Sequence, residues 1–447
     1  MSASANPDCA LQISTSPLRP GCSDVRMPIA PPSASDLFPP TRAEGLRRLQ
    51  AFLPRAGARY AAERNHDLGL QARGNVSMLS PYLRHRLLTE AEVVRAVLAR
   101  HGHAAAEKFV QEVLWRTYWK GWLELRPEAW RRYRAELARD RAAFAANAGR
   151  AHALAQAERG ATGIEGFDDW ARELVDTGYL HNHARMWFAS IWIFTLHLPW
   201  TLGADFFARH LLDADAASNT LGWRWVAGLQ TAGKTYAASA DNIARYSGGR
   251  FRPQGLASVC EALSEPPLPR AQSLPVRAPL DPATPWLLLV HGEDLDPYSL
   301  LPEGLQPRHV LIVEGVGEAS SEASSAGRGW PWGDKARAFV HGACIDLEAR
   351  LVAEGQAVTR LVNVDAAGIA ALASEVGAGA VVTAEAPVGP VADALDALES
   401  ELGKRGLRLQ RLRRDWDSRF WPRATRGFFA FREHIADELR ALGMPGL

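Results

Sequence analysis

The spacing of apolar residues changes once along the chain, at a Pro-rich stretch that covers residues 253–285. Before that stretch, over residues 41–252, apolar residues recur every three or four positions, which is typical of helices that bury one face or more. After it, over residues 286–447, short apolar runs alternate with helical stretches. The pattern therefore predicts an all-α domain, a linker and a parallel α/β domain, in that order.

Three predicted helices carry the clearest signals. The stretch 89–102 opens on a Thr with a Glu three positions later and closes on Gly, which are start and stop signals of a helix. The stretch 106–125 places Trp115, Trp119 and Trp122 on one helical face, with Glu112 and Arg116 on a neighbouring face. The stretch 183–198 is apolar nearly all round, which predicts a buried helix.

The second part of the chain is predicted to form a parallel sheet, because helical runs separate several of its short apolar segments. The predicted strands are 286–292, 309–315, 359–364, 380–385 and 407–412.

Two segments show no periodicity. Residues 1–40 are rich in Ser, Pro and Ala and are predicted to be a disordered tail. The segment "GVGEASSEASSAGRG", residues 315–329, is predicted to be a flexible loop. It lacks the third glycine and the following helix of a dinucleotide-binding turn, so it does not predict such a site.

Composition narrows the class of protein. The chain is 47% hydrophobic and 23% charged, which is ordinary for a globular protein. It contains no run of eighteen apolar residues and no apolar segment near the N-terminus, so we expect a cytoplasmic protein without a membrane contact. The four cysteines form no CxxC pair and are expected to be reduced thiols.

Charge is distributed unevenly although the chain carries only +1 overall. Residues 41–255 carry +9 and residues 256–447 carry −7. A basic first half favours contact with a polyanion, although arginine-rich solvated helices give the same count.

The stretch "DADAASNTLGWRW", residues 213–225, and the "GLQTAGKT" that follows suggest two familiar ion-binding motifs. A calcium loop beginning at Asp213 requires Gly at position 218 and Glu at 224, where this chain has Ser218 and Arg224. The second stretch matches a phosphate-binding loop at Gly228, Gly233, Lys234 and Thr235, but no predicted strand precedes it. Neither motif therefore predicts its usual ligand here.

The histidines and tryptophans of the helical part leave alternatives open. His181 and His183 lie two positions apart and cannot share a helical face, so capping or core packing competes with metal binding. Ten of the fifteen tryptophans lie between Trp115 and Trp225. Such a cluster is compatible with core packing, a planar cofactor, base stacking or electron transfer.

Taken together, the helical part resembles the FAD-binding domain of DNA photolyases and cryptochromes. The resemblance covers roughly residues 40–252 and rests on five ordered blocks. These are "YAAER" (60–64), "SMLSPYL" (77–83), "EVLWRTYW" (112–119), "GYLHNHARM" (178–186) and "DADAASNTLGWRW" (213–225).

The resemblance implies a set of FAD-binding residues. Within it, the loop at Ser77–Ser80 would hold the flavin diphosphate, the paired acids would lie beside the flavin, and Asn219 would face flavin N5. The implied FAD ligands are Tyr60, Ser77, Leu79, Ser80, Arg116, Asn182, Arg185, Asp213, Asp215 and Asn219.

The resemblance also implies residues that act on DNA and carry electrons. Arg64 would contact a DNA phosphate, and Glu112 would meet a flipped pyrimidine dimer between apolar planes. Trp223 and Trp200 would be the first two members of a tryptophan chain that reduces the flavin, and with Glu112 and Asn219 they form the implied catalytic set. The implied DNA contacts are Arg64, Glu112, Trp115, His183, Met186 and Trp225.

The chain departs from the family pattern at several positions. The third tryptophan has no clear counterpart, with Trp170 and Trp192 as candidates. Phe109 stands where many photolyases have tryptophan, His183 replaces an arginine, and Val76 replaces a threonine.

The largest departure is domain order, because photolyases place an antenna-binding α/β domain before the helical domain. We therefore hypothesise a permuted arrangement, in which an antenna-like domain follows at 286–447. Whether a second, antenna chromophore binds is left open.

These expectations define two functions. The first is a light-dependent lyase in which excited reduced FAD passes an electron to a pyrimidine dimer in single- or double-stranded DNA. The second is a cryptochrome-like blue-light photoreceptor with the same flavin pocket and little or no repair. In either case a monomer is expected.

Overall fold

Helices form the first part of the chain, as the periodicity predicts. The computed structural model describes residues 37–317, 331–363 and 365–447. The predicted tail lies outside the described residues up to residue 36, and the predicted flexible loop lies outside them over 318–330. The helices of this part are α1 Arg42–Phe52, α2 Ala58–Glu63, α3 Ser80–Arg84, α4 Glu90–Glu124, α5 Glu128–Ala145, α6 Ala148–Glu158, α7 Phe167–Thr177, α8 Asn182–Ser190, α9 Trp200–His210, α10 Ala216–Val226 and α11 Ala240–Tyr246.

The long helix α4 confirms the predicted start signal. The Thr89 hydroxyl accepts a hydrogen bond from the Glu92 amide, and the Glu92 carboxylate accepts one from the Thr89 amide. Gly102, at φ 68° and ψ 166°, interrupts the helical backbone where the first stretch was predicted to close. The α4 segment after Gly102 carries Glu112, Trp115 and Arg116 on adjoining faces.

The predicted helix over 183–198 forms in two pieces. Helix α8 continues as a wider π-helical turn over Ile191–Thr195, and His197, at φ 51°, then turns the chain. Most of its side chains are buried, as its apolar composition predicts.

The second part is a five-stranded parallel sheet, which confirms the predicted fold class. The strand order is β3-β2-β1-β4-β5, so the direction of winding reverses between β1 and β4. The elements are β1 Trp286–His291, β2 His309–Val313, α12 Asp334–Ala353, β3 Val358–Leu361, α13 Ala366–Glu375, β4 Ala380–Ala384, α14 Pro390–Gly403, β5 Arg408–Leu412, α15 Asp415–Phe420, α16 Phe428–Arg432 and α17 Ile435–Ala441.

The two faces of the sheet belong to two different cores because side chains alternate along a strand. Leu288 and Val290 of β1 share a core with the helical part, and Phe339 of α12 packs there against Tyr82 with ring centroids 5.8 Å apart. Leu287 and Leu289 point the other way, into a core closed by α13 and α14. Residues Ser33–Leu447 form one compact unit, so the domain boundaries at 252 and 286 stay predictions.

Buried ion pairs join the helical part to the carboxyl ends of β1 and β5. Arg84 is completely buried and makes two hydrogen bonds of 2.6 Å to the Glu293 carboxylate. Arg86 pairs with Asp294 at 3.0 Å and with Asp417 at 2.8 Å. Arg86 has a left-handed backbone conformation at φ 52°, which a long side chain seldom adopts. Its ion pairs with three buried carboxylates, those of Asp294, Asp417 and Glu90, offset this strain.

None of the helices in the three described ranges is long and apolar enough to cross a membrane.

Replacing Asp294 by asparagine should destabilise the fold strongly. Asp294 accepts hydrogen bonds from Arg86 and from Arg414, and all three side chains are buried. The Asp294→Asn variant should lose about 3–5 kcal/mol of unfolding free energy in urea denaturation, because two buried cations lose a counter-charge. The matched control, Asp437→Asn, breaks an exposed pair with Arg440 and should lose about 1 kcal/mol or less. Equal losses in the two variants would contradict this account.

Acid should weaken the same interface through His85. Burial, reinforced by the charge of Arg84, lowers the pKa of His85 to about 3 from a usual value of 6.5. Below pH 6.5 the unfolded chain binds a proton at this histidine that the folded chain does not. The stability that neutral, buried His85 contributes is therefore complete above pH 6.5 and is lost as the pH falls below it. When the unfolding free energy is measured by urea denaturation at a series of pH values, its fall toward acid pH should be shallower in His85→Phe than in the wild type, by about 1.4 kcal/mol per pH unit. The exposed control His152→Phe should leave the slope unchanged.

Candidate functional site

Two buried acids lie on the short connection between helices α9 and α10. Asp215 is the N-cap of α10, and its carboxylate accepts a 2.7 Å hydrogen bond from the Ser218 amide. Asp213 accepts two hydrogen bonds of 3.0 Å and 2.9 Å from the Arg185 guanidinium. Arg116 of α4 bonds the Asp215 carboxylate and donates to the Asp213 carbonyl at 3.1 Å. The structure thus brings together the two predicted acids and both predicted arginines.

The electrostatics of this group keep both acids ionised. Burial by itself raises the pKa of the Asp213 carboxyl, but the charges of Arg185 and Arg116 outweigh it and hold that pKa below its usual range. Burial also opposes ionisation of Asp215, and Arg116 together with Lys120 lowers its pKa. A ligand here would meet two fixed carboxylates and two fixed guanidinium groups.

Asn219 and the loop Ser77–Ser80 flank these acids. Asn219 lies one turn after Asp215 on the same face of α10, and its amide nitrogen donates to the Ala204 carbonyl at 2.7 Å. Ser80 bonds the Asp213 side chain. Met78 has a left-handed backbone at φ 53°, a conformation that clusters at functional sites.

A second group forms around Glu112, on the α4 turn before Arg116. Arg64 donates a 2.5 Å hydrogen bond to the Glu112 carboxylate. Burial raises the pKa of Glu112, and the positive charge of Arg64 works against that rise. Tyr60 packs edge-on against Phe109 in the same region, with ring centroids 5.1 Å apart. The predicted phosphate contact and the predicted substrate acid are therefore ion-pair partners.

The two predicted stacking tryptophans each have a ring partner. Trp225 stacks on Tyr236 with centroids 5.6 Å apart and planes at 30°. Trp115 stacks on Phe428 with centroids 3.7 Å apart and planes at 11°. Both tryptophans remain partly exposed.

His183 is held as a neutral imidazole in one tautomer. Its Nδ1 can only donate to the Asn65 carbonyl at 2.9 Å, so its Nε2 accepts the Tyr236 hydroxyl at 3.1 Å. Burial lowers the pKa of His183, which favours the neutral form of the ring. His183 thus braces the ring on which Trp225 stacks.

The remaining predicted residues are dispersed. Asn182 is exposed at the start of α8, and Met186 is half-buried one turn later. Leu79, within the Ser77–Ser80 loop, is buried, and its amide donates a 3.4 Å hydrogen bond to Ser77 Oγ. The contacts of all four with a cofactor or a substrate stay predictions.

The tryptophans of the predicted electron-transfer chain pack on different aromatic rings. Trp223 packs over Gly203, where an added Cβ would lie 2.2 Å from the indole, and Trp192 lies 6.1 Å away. Trp200 packs instead on Tyr133, with ring centroids 5.4 Å apart. Trp170 belongs to another group, in which it stacks on Trp187 at 5.3 Å.

The structure gives no support to the two ion-binding motifs. The Gly228–Thr235 stretch follows helix α10 rather than a strand, and no helix begins until Ala240. Thr235 donates its hydroxyl to the Cys260 carbonyl at 3.0 Å. Among the residues that the structure describes, no group of three or more His, Cys, Asp or Glu side chains could hold a metal ion.

The sequence patterns did not indicate three residues that lie near the site. Tyr236 follows the glycine-rich stretch as an unremarkable aromatic, and Phe428 lies more than 300 positions from Trp115. Lys120, one turn after Arg116, is buried, and its ammonium group has no hydrogen-bond partner among the residues that the structure describes. Its place on the Arg116 face, at an interval of four residues, was the one available signal.

The polar groups fit a flavin. Fixed carboxylates accept from ring N–H groups, and fixed guanidinium groups donate to ring carbonyls and phosphates. The buried Ser218 hydroxyl and the Trp223 Nε1 lack a partner within the described part of the chain, which leaves hydrogen-bonding capacity beside the acids.

Comparisons with known proteins agree with this chemistry. Residues 109–249 match the family model described as the FAD binding domain of DNA photolyase. A deoxyribodipyrimidine photo-lyase of Streptomyces griseus is 37% identical over 156 residues, which are 35% of this chain and 32% of that protein. One of Thermus thermophilus is 35% identical over 196 residues, 42% of this chain and 43% of that protein. The chain thus spans about a third to two fifths of the length of these relatives.

Two solved structures are similar to about half of this chain. A bacterial class III photolyase from Agrobacterium tumefaciens is 27% identical at a TM-score of 0.38, covering 48% of this chain and 44% of that one. A Synechocystis cryptochrome is 22% identical at a TM-score of 0.39, covering 46% and 43%. The matched sequence therefore supports the photolyase/cryptochrome family for the helical part, where residues 109–249 are similar to the FAD-binding domain of DNA photolyase.

Proposed function

We propose that this protein repairs pyrimidine dimers in DNA in a light-dependent reaction that uses FAD. The observation that carries the proposal is the arrangement along helix α4. Arg116 reaches the acids of the flavin site, the adjacent Trp115 offers an aromatic plane, and Glu112 offers a carboxyl one turn earlier. Flavin ligands and base-stacking groups thus share one rigid element.

Asp213, Asp215, Arg116 and Arg185 would hold the flavin ring, and the Ser77–Ser80 loop its diphosphate. When bound and reduced, FAD supplies light-driven donation of one electron, which the split dimer gives back. The four charged side chains are fixed by their mutual hydrogen bonds, so little reorganisation is needed when charge moves.

The DNA-facing residues would recognise a base outside the double helix. Trp115 and Trp225 supply planes for stacking, which is worth about 1–3 kcal/mol per base. Glu112, whose pKa burial raises, is suited to share a proton with a base edge once a phosphate draws Arg64 away. The net charge of +9 over residues 41–255 supports attraction to the phosphate backbone.

A cryptochrome-like photoreceptor is the second candidate. The observation that favours it is that both tryptophan planes already contact rings of the same chain, Phe428 and Tyr236. In that case light would change partner binding, with little or no repair.

The sheet carries a proposal of its own, as the antenna-like domain of a permuted photolyase. Parallel sheets of this kind bind ligands beyond the carboxyl ends of their strands. Here Glu293 and Asp294, just after β1, are paired with Arg84, Arg86 and Arg414. A second chromophore would therefore need another surface of the chain. A cytoplasmic monomer remains our expectation.

Removing Asp213 should abolish flavin retention. In Asp213→Ala the Arg185 guanidinium loses its carboxylate and the flavin loses a ligand, so the ratio of FAD to purified protein should fall at least tenfold by absorbance. Asp205→Ala is the matched control, since Asp205 is also buried and paired with two arginines, Arg141 and Arg209, neither of which is a predicted flavin ligand. Similar loss of FAD in both variants would argue for general destabilisation.

Illumination of the reduced protein with dimer-containing DNA tests the proposed reaction. The wild type should remove dimers from single-stranded and duplex oligonucleotides, and Trp225→Ala should do so at least tenfold more slowly because one stacking plane is lost. Trp122→Ala, which removes a buried tryptophan of the same helix as Trp115, is the control for packing effects. A flavin-loaded wild type that leaves dimers intact would favour the photoreceptor.

A further inference from the structure

The C-terminal end of the chain lies against the side chain that would stack a damaged base. Phe428 and Trp115 are in parallel contact, with centroids 3.7 Å apart and planes at 11°. Phe428 is 6% exposed, whereas its neighbour Phe429 is 75% exposed. The contact is therefore made by a buried, oriented ring and not by a loose surface residue.

Helix geometry shows which side of the indole Phe428 covers. Successive residues turn by about 100°, so Trp115 lies between Glu112 and Tyr118 on the surface of α4. Phe428 also contacts Tyr118, with centroids 5.5 Å apart, and so approaches from the Tyr118 side. Glu112 and Arg116, on the opposite side, face Arg64 and the flavin acids. Trp119, one turn after Trp115, also contacts the indole, but with centroids 5.3 Å apart and planes tilted by 37°, so among the described residues Phe428 is the ring that stacks on the indole in parallel.

Several contacts fix the segment that carries Phe428 along α4. The Tyr118 hydroxyl donates to the Arg426 carbonyl at 2.9 Å, and Arg126 donates to the Thr425 carbonyl at 2.7 Å. Trp421 packs onto Gly121, where an added Cβ would lie 2.7 Å from the Trp421 Cα. The backbone around Phe428 is thereby held against the helix that also supplies Arg116.

We propose that Phe428 is a positioning residue for base recognition, which backs the Trp115 indole and leaves it a single fixed plane for a flipped base. The proposal rests on the proposed function and extends it, because it makes the C-terminal α/β part a component of the DNA site. A backed indole loses less rotational freedom when a base stacks on it, so binding is stronger than to a freely rotating ring.

The test compares binding of FAD-loaded protein, in the dark, to a labelled oligonucleotide with and without one thymine dimer. The measured quantity is the dimer preference, the ratio of the two dissociation constants. Phe428→Ala should lower this preference roughly 3- to 10-fold, the range expected for one aromatic pair. Phe428→Leu, which retains most of the volume but no flat ring, should lower it as well. Affinity for the undamaged strand and FAD content should not change.

Phe429→Ala is the matched control and should keep the wild-type preference. If Phe428→Ala fails to fold, Phe428→Leu carries the test. A wild-type preference in Phe428→Leu, together with a lowered unfolding temperature, would show that Phe428 only packs, and would overturn the proposal while leaving the proposed function intact. A wild type without any dimer preference would instead refute the proposed function, and this proposal with it.

Discussion

The arrangement of the molecule depends on one buried guanidinium, that of Arg84. It bonds the Glu293 carboxylate at the carboxyl end of β1 and, through Nε, the Ala214 carbonyl at 2.7 Å. Ala214 lies between Asp213 and Asp215, the two acids of the candidate site. A single planar group therefore sets the distance between the sheet and the backbone that carries Asp213 and Asp215.

This dependence has a cost and a benefit. Removing a carboxylate and a guanidinium from water is unfavourable, and a well-packed apolar pair could stabilise the interface as much or more. The hydrogen bonds of the ion pair are directional, however, so they form only when the end of β1 lies at one position relative to Arg84. Arg86, with Asp294 and Asp417, repeats the arrangement on the neighbouring residues. Together these ion pairs orient the sheet on the helical part, so the carboxyl ends of its strands form an interface with that part.

Local patterns predicted most of the elements, and the family resemblance indicated the acids and arginines of the candidate site. All five strands lie where short apolar runs indicated them. The three inner strands, β1, β2 and β4, are apolar nearly throughout because they are buried on both faces. The Thr89 cap was readable because its partner is three residues away. The acids and arginines were found through the resemblance, and the structure brings them together.

What the patterns missed is made of contacts between distant residues. Nothing in "SPYLRHR" indicates that its arginines are buried, since their counter-charges lie more than 200 positions later. The same holds for Phe428 on Trp115. The predicted helix 183–198 also ended early, since its backbone widens to a π-helical turn over Ile191–Thr195 and turns at His197, and no local pattern indicated either feature.

The position of the sheet after the helical part has a consequence for biosynthesis. Arg84 leaves the ribosome 209 residues before Glu293, which at usual elongation rates is about 10–40 s earlier. During that interval the two nitrogens that later bond Glu293 do not yet have that carboxylate, and the Ala214 carbonyl is not yet held against the sheet. The cofactor site can therefore reach its final form only when most of the chain has been made.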